Sequence, residues 1–170
     1  MSRATHSIPS THTGSLPRPD DLIQIMWAVG DGIPVDATAL DQRVSSAIDE
    51  VVRKQVEAGV TIINDGEMSK PSYATYVKDR LSGFTGESVQ SYFFEDLVDF
   101  PRSAEAVAGN PGRRKRSAPA CTSPIEVIDK SAAVKDMTEL RRAATANNHQ
   151  EIFTSAASPG VVSLFFGNEF

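Results

Sequence analysis

The chain has 170 residues, 40% of them hydrophobic and 23% charged, with a formal charge of −5 at pH 7 and a single cysteine, Cys121. A domain of this size buries roughly 70% of the surface its unfolded chain exposes, so no metal or disulfide is needed to hold it together. One cysteine excludes an intramolecular disulfide and any multi-cysteine zinc site within the chain. The acidic balance argues against a general nucleic-acid binder. No run approaches the roughly 18 apolar residues of a membrane-spanning helix, and Pro9 interrupts the stretch where a signal peptide would need an unbroken apolar core. The reading is therefore a cytoplasmic protein with no membrane and no nucleic-acid partner.

In chain order, Ser7 to His12 is a short first strand, followed by a rigid turn, Thr13-Gly14-Ser15-Leu16-Pro17-Arg18-Pro19. Asp20 or Asp21 is placed to cap a helix carrying Leu22, Ile23, Ile25, Met26 and Trp27, which Gly30, Gly32 and Pro34 then break. From about Asp41 to Ala58, Val44, Ala47, Ile48, Val51, Val52 and Val56 recur at three- and four-residue spacing, predicting a helix laid on a core. Thr38 or Asp36 can cap it, and Gly59 suits its left-handed end. Val60 to Ile63 is a β-branched run without alternation, as expected of a parallel, central strand covered on both faces. It opens into Asn64-Asp65-Gly66-Glu67, and the carboxyl edge of such strands is where barrel and open α/β folds bind ligands.

Downstream, Pro71 to Leu81 is predicted helical, and Phe84 to Phe100 has no clear pattern. Gly109 to Arg116 reads as a loop with a basic run, Ile125 to Ile128 as a third strand, Met137 to Ala146 as a helix and Ile152 to Thr154 as a fourth strand leading into Ser158-Pro159-Gly160. Alternating strands and helices predict an α/β architecture with a parallel sheet.

The residues at the strand ends carry a resemblance. Ser10 to Pro19, Glu57-Ala58-Gly59-Val60 with Asn64 to Glu67, and Thr154 to Gly160 together resemble the catalytic domain of the cobalamin-independent methionine synthase family, over about Pro9 to Phe166. The resemblance implies a TIM (β/α)8-type barrel and methyl transfer from 5-methyltetrahydrofolate to the thiol of homocysteine. It also implies a zinc ion that activates the thiolate, and no cobalamin. A thiol of ordinary pKa near 8.5 is mostly protonated at neutral pH, and zinc deprotonates it outright. Carried over by position, Thr13, Gly14, Ser15 and Glu67 would bind the amino acid: turn amides approach its carboxylate and Glu67 meets its ammonium. Tight-turn chemistry at Gly14 and a helix-capping role for Glu67 are the structural alternatives. His12 and Asp65 are open between site and structural roles, and the Ser158-Pro159-Gly160 turn receives no catalytic role.

The chain departs from the family in what it contains. The family's zinc ligands are a His-x-Cys pair, a glutamate and a further cysteine, whereas the residues two places after His6, His12 and His149 are Ile8, Gly14 and Glu151. Cys121 matches no ligand position. A complete eight-unit barrel takes about 250 residues, so the expectation is one domain over residues 1–170 forming the first four or so β/α units. Open strand edges would then favour self-association. A non-catalytic half-barrel that self-associates or docks on a partner is one alternative function. A related zinc-thiolate enzyme, such as an epoxyalkane coenzyme M transferase, is another.

Overall fold

The computed structural model describes residues 8–72, 75–86, 88, 95–108 and 119–170. The basic run 113–116 lies outside them. The chain groups into two compact units, Met1–Tyr76 with Lys130–Ala156, and Val77–Asp129 with Ala157–Phe170.

The first unit holds the parallel strands and the helices that cover them. Thr11 bridges Ile62 and Ile63 bridges Ile152, both in parallel, so the β-branched Val60 to Ile63 run is central, as its lack of alternation predicts. Ile63 lies fully buried between its two neighbours, with hydrogen bonds from its own amide to Glu151 O and from the Phe153 amide to its carbonyl. The order Thr11, Ile62–Ile63, Ile152 corrects the strand count. The Ile152 segment lies directly beside the second strand, so it is the third parallel strand of the unit rather than the fourth.

Three helices pack on this array: α1 (Asp20–Gly30), α2 (Ala37–Glu57) and α4 (Ser131–Ala146). The core joins Leu22 and Met26 of α1, Ala47, Ile48, Val51 and Val52 of α2, and Leu140, Ala143 and Ala144 of α4 to Ile63 and Met68. A fully buried Leu or Ile here contributes about 1.5–3 kcal/mol. The Asp36 side chain caps α2 by accepting from the Thr38 and Ala39 amides at 2.8 and 3.2 Å, and Gly59 takes the left-handed conformation expected of it. Neither Asp20 nor Asp21 caps α1. Pro19 occupies the cap position, and both acids fall in the first turn, where the helix dipole favours negative charge. Asp21 instead receives two bonds from Arg43 of α2, at 2.5 and 2.9 Å.

The second unit has different pairing. β1 (Phe84–Thr85) and β2 (Ala120–Cys121) form an antiparallel ladder in the register Phe84 to Cys121 and Thr85 to Ala120. Leu81 bridges Val127 antiparallel, so Ile125 to Ile128 is not a strand of the parallel array. Its apolar residues are exposed, at 49% for Ile125, 57% for Val127 and 65% for Ile128, which explains why a β-branched run here is not a core strand. The expected helix from Pro71 to Leu81 is reduced among the described residues to one 3-10 helix, Thr75–Asp79. The unit also contains α3 (Pro101–Ala108) and α5 (Pro159–Phe165). Ser158 caps α5 through a bond from the Val161 amide to its hydroxyl, in keeping with the turn role of Ser158-Pro159-Gly160. Phe166 packs on Phe84 with ring centroids 4.7 Å apart.

Candidate functional site

The site lies in the first unit, where the segments following Thr11 and Ile63 leave the carboxyl ends of neighbouring parallel strands. The turn after Thr11 is held to the loop after Ile63 along its length. The Leu16 amide bonds Gly66 O at 3.0 Å, and the Arg18 guanidinium donates to Glu67 O at 2.7 Å and Lys70 O at 2.5 Å. Asn64 reaches back through Nδ2 to the carbonyl of His12. The two motifs singled out in the sequence, 52 positions apart, therefore meet. The Ser15 hydroxyl donates to Glu67 Oε2 at 2.5 Å.

Glu67 is 5% exposed. Its Oε1 makes no hydrogen bond among the described residues, so one carboxylate oxygen is engaged by Ser15 and the other remains able to accept from a ligand. Glu67 has φ +58° and follows Gly66, also at φ +58°. A Cβ on Gly66 would stand 3.1 Å from both Leu16 Cβ and Met68 Cε, so this position needs glycine for space as well as for its dihedral. Gly14, at φ +96°, needs glycine for its dihedral alone, because a Cβ there would meet nothing within 4 Å. The backbone beside Ser15 is open to approach. Thr13 is exposed and makes no side-chain hydrogen bond among the described residues.

Four buried side chains, Gln55, Asn64, Asp65 and Lys70, complete the surroundings; sequence reasoning left Asp65 open and assigned no role to the other three. Gln55 interrupts the apolar face of α2. Its amide donates to Asn64 O at 2.7 Å and accepts from the Asn64 amide at 3.1 Å, pinning the start of the loop. That polar break in an otherwise apolar stripe was the signal available. Asn64 accepts from the Gly66 amide at 2.8 Å, and Asp65 accepts from the Glu67 amide at 3.0 Å. Lys70, 3% exposed, donates to Ser155 O at 3.0 Å and lies 5.6 Å above the Tyr76 ring, tying the loop to the end of the Ile152 segment. Nothing in the local sequence marks it. His12 Nε2 and Asp65 Oδ2 are buried without a hydrogen-bond partner among the described residues, so His12 is not a hydrogen-bonded structural histidine through that nitrogen.

Chemically, the arrangement combines open backbone amides with a buried carboxylate, a pairing that suits a small polar ligand carrying both signs of charge. The exposed backbone at Gly14 and Ser15 suits a carboxylate, and the Glu67 carboxylate suits an ammonium. The donor set does not fit zinc. Among the described residues no three His, Cys, Asp or Glu side chains converge to hold a metal ion, and Cys121 belongs to β2 of the other unit. No helix among the described residues is long and apolar enough to cross a membrane.

Parallel strands covered by helices, with polar loops at their carboxyl edge, define an α/β fold. Comparison with known proteins places that fold. Over 95% of its length the chain is similar to 41% of a B12-independent methionine synthase from Shewanella sp. W3-18-1, solved in complex with selenomethionine, with a TM-score of 0.67 and 20% identity. In sequence, 84 residues, 49% of the chain, are 34% identical to a methionine synthase of Sulfolobus acidocaldarius and cover 24% of it. No protein-family profile matches the chain. The resemblance read from the strand-end motifs is thus borne out: the chain is similar to methionine synthases, and its match spans about a quarter of the curated one.

Proposed function

We propose that this chain is the amino-acid-binding part of a methionine-synthase-like methyltransferase. Residues 1–170 would contribute the first β/α units of a TIM-type barrel. The reaction is methyl transfer from 5-methyltetrahydrofolate to the thiol of homocysteine, without cobalamin. The observation that carries this reading is the hydrogen bond from Ser15 to Glu67, which assembles two separate motifs at the carboxyl edge of adjacent parallel strands. The amino acid would lie with its carboxylate against the amides of the Gly14-Ser15 turn, Thr13 beside it, and its ammonium on Glu67. Burial of Glu67 strengthens its attraction for that ammonium, because the local dielectric is lower than in water. Resemblance to the family implies zinc at the thiol, but the side chains described here do not fit that ion. Thiol activation is accordingly not assigned to any residue of this chain.

Calorimetric titration of the purified chain with L-methionine and L-homocysteine tests the reading. Both should bind, and Glu67→Gln should weaken them by about tenfold or more, since a hydrogen bond to a charged group contributes about 1.5–3 kcal/mol. Absence of binding by the parent chain, or unchanged binding by Glu67→Gln, would refute it. Competition by coenzyme M at equal strength would move the assignment to the related thiolate transferases. A second reading, a non-catalytic module that self-associates, is favoured by the exposed apolar run Ile125, Val127 and Ile128. Sedimentation that is independent of concentration would exclude it.

A further inference from the structure

We infer that Asp65 is a positioning residue: its carboxylate fixes the left-handed Gly66-Glu67 turn and thereby aims the Glu67 side chain. The inference rests on the amino-acid-binding reading given above and assigns the part of the site that sets its geometry. Its starting point is the backbone. Glu67 is a non-glycine residue at φ +58°, a conformation that persists only where the surroundings impose it and that concentrates at functional sites. Rotating Glu67 back to an ordinary dihedral would swing its carboxylate away from Ser15.

The restraint that opposes this rotation is specific. Asn64 Oδ1 receives the Gly66 amide and Asp65 Oδ1 receives the Glu67 amide, so successive side chains hold successive backbone donors. The Asp65 carbonyl accepts from the Met68 amide at 3.2 Å, and Arg18 holds the Glu67 carbonyl. The peptide units on both sides of Glu67 are therefore held, and Asp65 supplies the only side-chain acceptor for the Glu67 amide among the described residues.

Asp65 is 2% exposed, and its Oδ2 is buried with no hydrogen-bond partner among the described residues. A buried carboxylate with one unsatisfied oxygen is a poor device for stability, because its desolvation is only partly offset. An apolar residue of similar size would serve packing better. The chain carries the charge where it does one discernible thing, which is to hold the amide of the residue that faces the ligand.

The test compares L-methionine affinity and thermal midpoint across Asp65→Ala, Asp65→Asn and Asp65→Ser in the full chain. Asp65→Ala should lose affinity by about tenfold or more, beyond what any change in its melting midpoint accounts for. Asp65→Asn keeps an oxygen for the Glu67 amide and should bind within about threefold of the parent, since its acceptor is retained though neutral. Asp65→Ser, with a shorter acceptor, replaces Asp65→Ala if the latter does not fold and should lie between the other two. Parental affinity in Asp65→Ala or Asp65→Ser, or equal losses in Asp65→Asn and Asp65→Ala, would overturn the inference. So would a loss of affinity that only tracks the loss of thermal stability. Failure of the parent chain to bind methionine would instead refute the function on which it rests, and the inference with it.

Discussion

At the scale of single residues, the site is a set of backbone constraints with a few polar side chains set into them. Gly66→Ala must force a methyl group against Leu16 and Met68 at a positive φ, whereas Gly14→Ala faces open space. The first should cost at least about 2 kcal/mol, combining strain with overpacking, and the second about 1–2 kcal/mol from the dihedral alone. Urea denaturation of the two variants checks that order. Gln55→Leu should lose about 1–3 kcal/mol by orphaning the Asn64 peptide, measured the same way, although leucine would complete the apolar stripe of α2. Part of the candidate site was legible as residues: the Gly14-Ser15 turn and Glu67 stand out by their motifs, and the structure brings Ser15 and Glu67 together. Their partners were not legible, because Ser15 and Glu67 are 52 positions apart and Lys70 reaches Ser155 across 85. No local pattern encodes which distant carbonyl a buried ammonium will find.

At the scale of elements, α2 and α4 carry the first unit, and their contact combines apolar packing with charge. Leu140, Ala143 and Ala144 meet Ala47, Ile48 and Val51 within one core. Small alanines let the helices approach, and Leu140→Ala should cost about 2–5 kcal/mol by cavity formation, read from its denaturation midpoint. Beside that seam the Ser45 hydroxyl, then Arg142, hold the Glu139 carboxyl below its ordinary value of 4.5. A carboxylate whose pKa is lowered on folding contributes stability in full above its unfolded value and loses it as pH falls through the folded one. Ser45→Ala should therefore destabilise at neutral pH and have a smaller effect at an acid pH below the lowered pKa, where Glu139 is protonated in both proteins. Denaturation at the two pH values measures the difference. Asp21, lowered by its bond from Arg43, follows the same sign. Helices were the more legible elements: α2 shows three- and four-residue periodicity over several turns, whereas α4 begins at Ser131, ahead of the expected Met137. The strands were legible only as apolar runs. Val60 to Ile63 and Ile125 to Ile128 look alike in sequence, yet one is central and the other exposed, because burial depends on pairing partners that lie far away.

At the scale of the whole molecule, two units of different character share one chain. The first carries the candidate site, and the second contains the free thiol Cys121. Since no described cluster of donors suits a metal ion, the purified chain should retain no stoichiometric zinc after dialysis and should give negligible zinc-dependent methyl transfer. Elemental analysis beside a turnover assay checks both, and a zinc-loaded, active chain would contradict the site described above. The first unit is also discontinuous, since Val77–Asp129 intervenes between its two parts. That arrangement has a consequence in time. The Ile62–Ile63 strand pairs with Thr11 on one side, but its other partner, Ile152, is made only after the whole of the intervening segment. While a ribosome works through the intervening segment, the central strand has one edge bare, its amides and carbonyls available to any neighbouring chain. During synthesis, then, the central strand offers an edge that the finished protein covers. Slowing translation between the codons for Ile63 and Ile152 should lengthen that interval and lower the soluble yield, while leaving the sequence of the product unchanged.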